Sequence, residues 1–280
     1  RQARPRERAM PELPEVETIM RALAARLCAR RIEALEQRRR DLRFPLPERL
    51  AQRLVGRRFQ SFGRRAKYIL GHLDDRHTLL LHLGMSGRLL FDGPPAGPHE
   101  HLTFHFDDAS CLRFVDPRRF GMLDLAPTGT LHAHPRLAGL GLEPLDPGFD
   151  GRALASALAG RRSALKLALM DQRVVVGVGN IYACESLFRA RLSPQRIAGS
   201  LRSREATRLA GALGAVLTEA IAAGGSSLRD YVQANGELGF FQDRFAVYGL
   251  DGQPCRVCGA PIQRITQANR TTFYCLRCQR

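Results

Sequence analysis

Lysine is almost missing from this 280-residue chain. Of 43 basic side chains, only Lys67 and Lys166 are lysine. Arginine supplies the rest. A guanidinium neither gives nor takes a proton near neutral pH, whereas a partly buried amine does. Two amines held against so strong a bias suggest positions where an amine is wanted, the alternative being chance. Long apolar runs are missing too. No stretch approaches the roughly 18–20 apolar residues of a membrane span. The charged opening RQARPRERA is followed by no apolar core of a secretory signal. The chain is therefore expected in the cytoplasm. Acidic residues are scarce, 27 against 43 basic, for a formal net charge of +16. Such a surplus points to a polyanionic partner, nucleic acid before a membrane surface. Hydrophobic residues reach 44 %, which excludes a wholly disordered chain. Cysteine is sparse outside one C-terminal cluster, and Cys28, Cys111 and Cys184 read as ordinary core thiols.

The order of patterns suggests an α+β chain. Residues 1–10 read as a tail without a face to bury. A helix is expected from Pro14, with proline and acid at its start and Val16, Met20, Leu23 and Leu27 at helical spacing. Seven short β-type runs follow: Arg57–Phe62, Tyr68–Leu73, Thr78–Leu83, Gly87–Phe91, Leu102–Phe106, Cys111–Val115 and Gly121–Leu125. Runs of this number and length suggest an antiparallel sandwich or barrel. The first domain is thus expected over 11–126. A linker rich in Gly, Pro and His covers 127–150. A helical domain spans 151–243, and the cysteine cluster occupies 244–280.

That cluster is Cys255-x2-Cys258, sixteen residues, then Cys275-x2-Cys278, the spacing of a closed structural zinc site. One Zn2+ is expected to fold the segment without catalysing. The run Pro261–Phe273 is expected to form a hairpin with Arg270 near its tip.

The stretch Met10-Pro11-Glu12-Leu13-Pro14-Glu15-Val16-Glu17-Thr18 has two readings. On the residues alone, Pro11 and Pro14 simply start a helix. Alternatively, removal of Met10 leaves Pro11 as a free secondary amine, whose pKa near ~8 keeps much of it unprotonated. Such an amine attacks a sugar C1′ to give an iminium, with Glu12 placed to move protons. PELPEVET resembles the opening of the formamidopyrimidine-DNA glycosylase (Fpg) family, which excises oxidised purines. So do Arg64-Arg65-Ala66-Lys67-Tyr68, His82-Leu83-Gly84-Met85-Ser86-Gly87, Asp116-Pro117-Arg118-Arg119-Phe120-Gly121 and Val175-Val176-Gly177-Val178-Gly179-Asn180-Ile181-Tyr182, as does the finger from Gln267 to Cys278. Leu13 favours this branch over the endonuclease VIII type. Residues 1–9 depart from the pattern: while they and Met10 stay attached, the Pro11 nitrogen is an amide and no nucleophile.

The resemblance implies a fold of N-terminal helix, antiparallel β-sandwich, helix–two-turn–helix domain and four-cysteine hairpin finger. It implies a bifunctional glycosylase and AP lyase acting as a monomer on duplex DNA with oxidised or abasic sites. Pro11 becomes the nucleophile, Glu12 the proton carrier, Lys67 the amine of β-elimination and Arg270 the phosphate grip of δ-elimination. Met85, Arg118 and Phe120 fill the hole left by the flipped base. Read alone, Met85 and Phe120 are core residues. His99, Arg161, Arg162, Lys166 and Asn180 are DNA contacts, with the glycine turn before Asn180 aiming backbone N–H groups at a phosphate. The segment Gly224–Gln242 closes over the base, with Phe240 or Phe241 facing it. Three rival functions stand beside it: an oxidised-pyrimidine glycosylase, a non-catalytic binder of damaged DNA if the tail is retained, and a zinc-finger transcription regulator, which fits charge and finger but leaves PELPEVET and the two lysines unexplained.

Overall fold

The computed structural model describes residues 10–93, 95, 97–226 and 239–280. The tail before Met10 and most of the expected capping segment lie outside the described residues. Helix α1 covers Leu13–Leu27, with Pro14 in its first turn where no intrahelical N–H is needed. Its buried stripe is Val16, Ile19, Leu23 and Leu27. Met20 is only half-buried, so Ile19 takes the place that the sequence pattern assigned to it.

Eight strands follow among the described residues, one more than expected: β1 (Ile32–Gln37), β2 (Phe59–Arg65), β3 (Tyr68–Leu73), β4 (His77–His82), β5 (Arg88–Phe91), β6 (Glu100–Phe106), β7 (Cys111–Val115) and β8 (Met122–Pro127). A short helix α2, Leu50–Leu54, lies between β1 and β2. The strands form two antiparallel four-stranded sheets, ordered β1-β6-β7-β5 and β2-β3-β4-β8. Inward side chains of both sheets meet the α1 stripe in one core that includes Ile32, Phe59, Ile69, Leu79, Phe104, Phe106 and Phe114. Alternation of inward apolar and outward polar residues is what a half-buried strand requires.

The helical half contains α3 (Gly151–Leu158), α4 (Leu165–Met170), α5 (Asn180–Arg189) and α6 (Ser203–Ala222). Asp150 caps α3 by accepting from the Ala153 N–H at 2.8 Å. The finger hairpin is β9 (Gln263–Gln267) paired with β10 (Arg270–Tyr274), and Arg270 sits opposite Gln267 at the turn. This finger has no core of its own. Ile262, Phe273 and Cys275 join Leu169, Ile181, Tyr182, Leu187, Leu213 and Phe241 in the single helical core, and Leu13 of α1 enters the same cluster.

The segment expected as a linker also ties onto the sandwich. It opens with a 3-10 turn, Thr128–Ala133. Farther on, Glu143 accepts from the Ala66 N–H at 2.6 Å, from Arg64 at 3.0 Å and from Arg65 at 3.1 Å. Arg64 also reaches Glu17 of α1 at 2.8 Å. Ala66 has φ +54, a left-handed conformation that costs energy in a residue with a Cβ. The Glu143 clamp holds it, and with it the aim of the neighbouring Lys67.

Candidate active site

A cavity of about 320 Å3 opens where the β-sandwich, the helical half and the finger meet. Its walls include Met10 and Glu12 beside Pro11, Lys67 and Tyr68 from the β2–β3 turn, His82 at the end of β4, Asn180 at the start of α5, Tyr248 and Arg270. The chain therefore gathers at one place residues more than 250 positions apart. Pro11 is half-buried at the mouth of α1, and Glu12 is only 3 % exposed.

Glu12 is fixed by the turn that precedes α5. Its carboxylate accepts from the Gly179 N–H at 2.6 Å and the Ile181 N–H at 3.0 Å, with Tyr182 N more distant at 3.5 Å. The positive end of a helix is a natural seat for an anion. The turn was expected to hold a DNA phosphate, but its N–H groups are taken by an internal carboxylate. The glycines are explained by the same contact. A Cβ on Gly179 would lie 2.4 Å from the Glu12 carboxyl carbon, and one on Gly177, at φ +77, would strike Leu13 at 2.6 Å. Gln172 completes the turn, accepting from the Gly177 N–H at 2.8 Å and donating to the Val178 carbonyl at 3.0 Å.

Charge in the cavity is strongly perturbed. Burial pushes the Glu12 carboxyl up to about 7, even though the Lys67 ammonium pulls it down. Burial pushes the Lys67 ammonium below its ordinary value, Glu12 and Glu15 oppose this, and Arg270 adds to it. His82 falls to about 4, through burial first and then Lys67 and Arg43. It is neutral, with Nδ1 accepting from the Gly84 N–H at 3.0 Å, so Nε2 carries the proton. Titratable groups shifted this way within one cleft mark a candidate reaction centre.

Behind Glu12 lies a second buried carboxyl that the sequence reading passed over. Glu15 accepts from the Glu12 N–H at 2.9 Å, the Tyr182 hydroxyl at 2.5 Å and the Ser226 N–H at 2.8 Å. It links the first turn of α1, the helix α5 and the residue just before the undescribed segment. The spacing Glu12-x-x-Glu15 carried a signal, since a side chain three residues into a helix returns to the capping N–H.

The remaining expected residues divide into two groups. Met85 is half-buried, Arg118 is partly exposed and Phe120 is 41 % exposed. Buried Asp116 shapes their loop, accepting from Ser86 Oγ at 2.5 Å and Gly121 N at 2.7 Å. The guanidinium of Arg118 lies 4.9 Å from the Phe120 ring centre. A Cβ on Gly84 would fall 2.3 Å from the Phe120 carbonyl carbon, so the Met85 turn and the Arg118–Phe120 loop lie in direct contact. An exposed phenylalanine beside an arginine is no core residue, contrary to the reading of Phe120 in isolation. His99 and Arg162 are exposed. Arg161 is partly engaged, with Asp171 at 3.1 Å.

Lys166 departs from its expected place on the DNA face. It is fully buried, and its Nζ donates to Thr272 Oγ1 at 2.7 Å and to the Thr271 carbonyl at 3.3 Å. Asn180 lines the cavity, yet its Nδ2 also turns to the Thr271 carbonyl, at 2.8 Å. Both side chains fasten β10 to the helices in this structure. Of the two capping phenylalanines, Phe241 is buried in the helical core and Phe240 is 63 % exposed.

The four cysteines converge. Their Sγ atoms all lie within 4.8 Å of one another, with Cys255–Cys278 at 3.9 Å and Cys258–Cys275 at 3.4 Å. A tetrahedral zinc with Zn–S bonds near 2.3 Å has sulfur–sulfur edges of about 3.8 Å. The set fits one structural Zn2+ with no position left for substrate.

Three family descriptions match the chain in order: formamidopyrimidine-DNA glycosylase N-terminal domain over residues 10–123, formamidopyrimidine-DNA glycosylase helix–two-turn–helix domain over 140–232, and the zinc finger found in Fpg and IleRS over 252–280. The formamidopyrimidine-DNA glycosylase of Acidiphilium cryptum is 52 % identical, covering 97 % of this chain and 100 % of that protein. The crystal structure of MutM (Fpg) from Thermus thermophilus matches with a TM-score of 0.85 at 41 % identity, covering 96 % and 98 % of the two chains. Lactococcus lactis Fpg in complex with abasic-site DNA matches at 0.88 and 33 % identity, covering 96 % and 99 %. On sequence, fold and site together, this chain belongs to the formamidopyrimidine-DNA glycosylase family.

Proposed function

We propose that this chain is a base-excision-repair enzyme that removes oxidised purines from duplex DNA and then cuts the strand as an AP lyase. The observation that carries the reading is Glu12, a buried carboxyl titrating near neutrality, held on the α5 N-terminus beside Pro11 and facing Lys67. The Lactococcus lactis relatives solved with Fapy-dG and with abasic-site DNA support the substrate class.

In the mechanism, Pro11 acts once it is the chain terminus. Its nitrogen forms a bond to C1′ of the flipped nucleotide as the C1′–N9 bond breaks, and the proton released from the Pro11 nitrogen passes to the departing purine. The C1′–O4′ bond then opens to an iminium, and Glu12, near half protonation at neutral pH, supplies the proton to O4′. Loss of a C2′ proton expels the 3′ phosphate. Loss of a C4′ proton then expels the 5′ phosphate. Water hydrolyses the remaining iminium, freeing Pro11 and an unsaturated aldehyde. Lys67, an amine weakened by burial, suits the proton removals, and Arg270 suits the phosphates. Met85, Arg118 and Phe120 fill the stack while the base is out, a cost of about a few kcal/mol. His99, Arg161 and Arg162 hold the duplex through its phosphates. Zinc, which the four cysteines would hold, would rigidify the hairpin that carries Arg270 and take no part in the chemistry. The same reading makes the protein a cytoplasmic monomer working at the nucleoid.

The test is borohydride trapping on an 8-oxoguanine duplex with the chain begun at Pro11. A covalent adduct is expected, slowed by Pro11→Gly and abolished when residues 1–10 remain attached. No adduct from the unsubstituted chain would overturn the proline chemistry.

A further inference from the structure

Beside the cavity lies a cationic feature that the reaction above does not use. Arg136, in the segment between the two halves, places its guanidinium 3.7 Å from the centre of the Phe44 ring. Arg43 approaches the same ring at 5.6 Å. Both arginines are exposed. No carboxylate among the described residues pairs with either of them, whereas nearby arginines are matched, Arg39 with Asp41 and Arg65 with Glu143.

The mount is rigid. Phe44 is half-buried and packs on a small apolar cluster with Tyr68, Leu70, Leu131 and Leu140. Its neighbour Arg43 is tied by its N–H to the Gly121 carbonyl at 3.1 Å, which brings it to the loop carrying Arg118 and Phe120. The Arg136 N–H donates to His134 Nδ1 at 3.2 Å, and His134 Nε2 meets Asp124 at 3.1 Å. Tyr68 and Leu140 of the supporting cluster are themselves cavity walls. Burial raises the pKa of the Tyr68 hydroxyl, and Arg136 and Arg43 oppose that rise without cancelling it.

An arginine stacked on an aromatic face keeps its N–H edge free and pre-oriented for a phosphate, losing less freedom on binding than a loose side chain. Two such groups without internal anions, beside a cleft for a polyanion, are suited to a negative ligand. We propose that Arg136, braced on Phe44 and flanked by Arg43, is an additional phosphate-binding site for the DNA backbone at the cavity rim. This inference rests on the DNA glycosylase reading and extends its interface onto the inter-domain segment. A planar base stacked on Phe44 is the competing occupant, but Arg136 already covers that ring.

The two occupants differ in their response to salt. Each phosphate contact releases counterions and steepens the dependence of log affinity on log salt by about 0.9. The experiment measures binding of a duplex containing a reduced abasic site from about 0.05 to 0.3 M salt, a range over which such slopes are resolved. Arg136→Gln should flatten the slope by about 0.9 and weaken binding about fivefold near 0.15 M. Phe44→Leu, which keeps an apolar side chain in the cluster, should weaken binding in the same direction by loosening the mount. An unchanged slope in Arg136→Gln overturns the proposal, and so does weaker binding at constant slope, which marks a stacked base. Borohydride adduct formation by the unsubstituted chain, measured alongside, separates failure of this inference from failure of the glycosylase reading.

Discussion

A single methyl group placed on Gly179 tests whether the seat of Glu12 governs the chemistry. Gly179 has φ −127, a backbone that alanine adopts without strain. The added Cβ meets the Glu12 carboxyl at 2.4–2.8 Å, well inside ordinary contact near 3.4 Å or more. Glu12 is 3 % exposed, and the open space it can retreat into is the cavity it lines. The carboxylate must shift by about 1 Å, breaking short bonds to the Gly179 and Ile181 N–H groups. A misplacement of that size costs a reaction about 100-fold, while the overpacking itself costs about 1–3 kcal/mol of stability. Gly179→Ala should therefore lower the single-turnover rate on an 8-oxoguanine duplex about 100-fold, with zinc content and duplex affinity retained. Gly211→Ala in α6 is the matched control. Its Cβ meets nothing within 4 Å, and alanine is favoured over glycine in a helix by about 1 kcal/mol. A Gly179→Ala rate within threefold of the parent would refute the claim that this hydrogen-bonded carboxyl acts on the sugar.

The rate should show an ionisation near pH 7 that vanishes in the residual activity of Glu12→Gln, and Lys67→Met should move it to higher pH by removing the cation that lowers Glu12. Because the folded Glu12 pKa lies above the ordinary value of 4.5, its contribution to stability is fully present below about 4.5 and is lost as pH rises through about 7. Denaturant unfolding of parent and Glu12→Gln should accordingly diverge in favour of the variant between those limits. Lys166→Met should lower stability by about 1.5–3 kcal/mol through lost charged hydrogen bonds without changing the salt slope of DNA binding; a flatter slope would return Lys166 to the phosphates. Zinc chelation should abolish strand cleavage while near-ultraviolet and hydrogen-exchange signals of the β-sandwich persist, since its core contains no residue of the finger.

What the sequence disclosed was mostly local. The finger spacing, the proline-led start of α1 and the turn residues between strands act over a few positions, so they are visible in one dimension. β1 escaped because IEALEQ has the composition of a helix and buries only its first residue, Ile32; it is a strand through pairing with β6. The scarcity of lysine flagged Lys67 and Lys166 equally, but one faces a cavity and the other bonds Thr272, 106 residues away. The same blindness hid the partner of the glycine turn: an N–H cluster is a seat for an anion, and only the fold says whether that anion is a phosphate or Glu12. Glu143 was unreadable for a related reason, since its three partners lie 77–79 positions back.

The shared core of finger and helices makes metal supply a folding variable for half the molecule. A site that binds only the native state adds stability that grows with the logarithm of free metal. With Ile262, Phe273 and Cys275 packed among Leu169, Tyr182 and Phe241, that increment is not confined to the finger's own residues. Under zinc limitation the helical half should melt together with the finger, at a temperature set by the metal concentration, while the sandwich melts at its own. The enzyme would then fail by losing a whole wall of its cleft rather than a single fingertip.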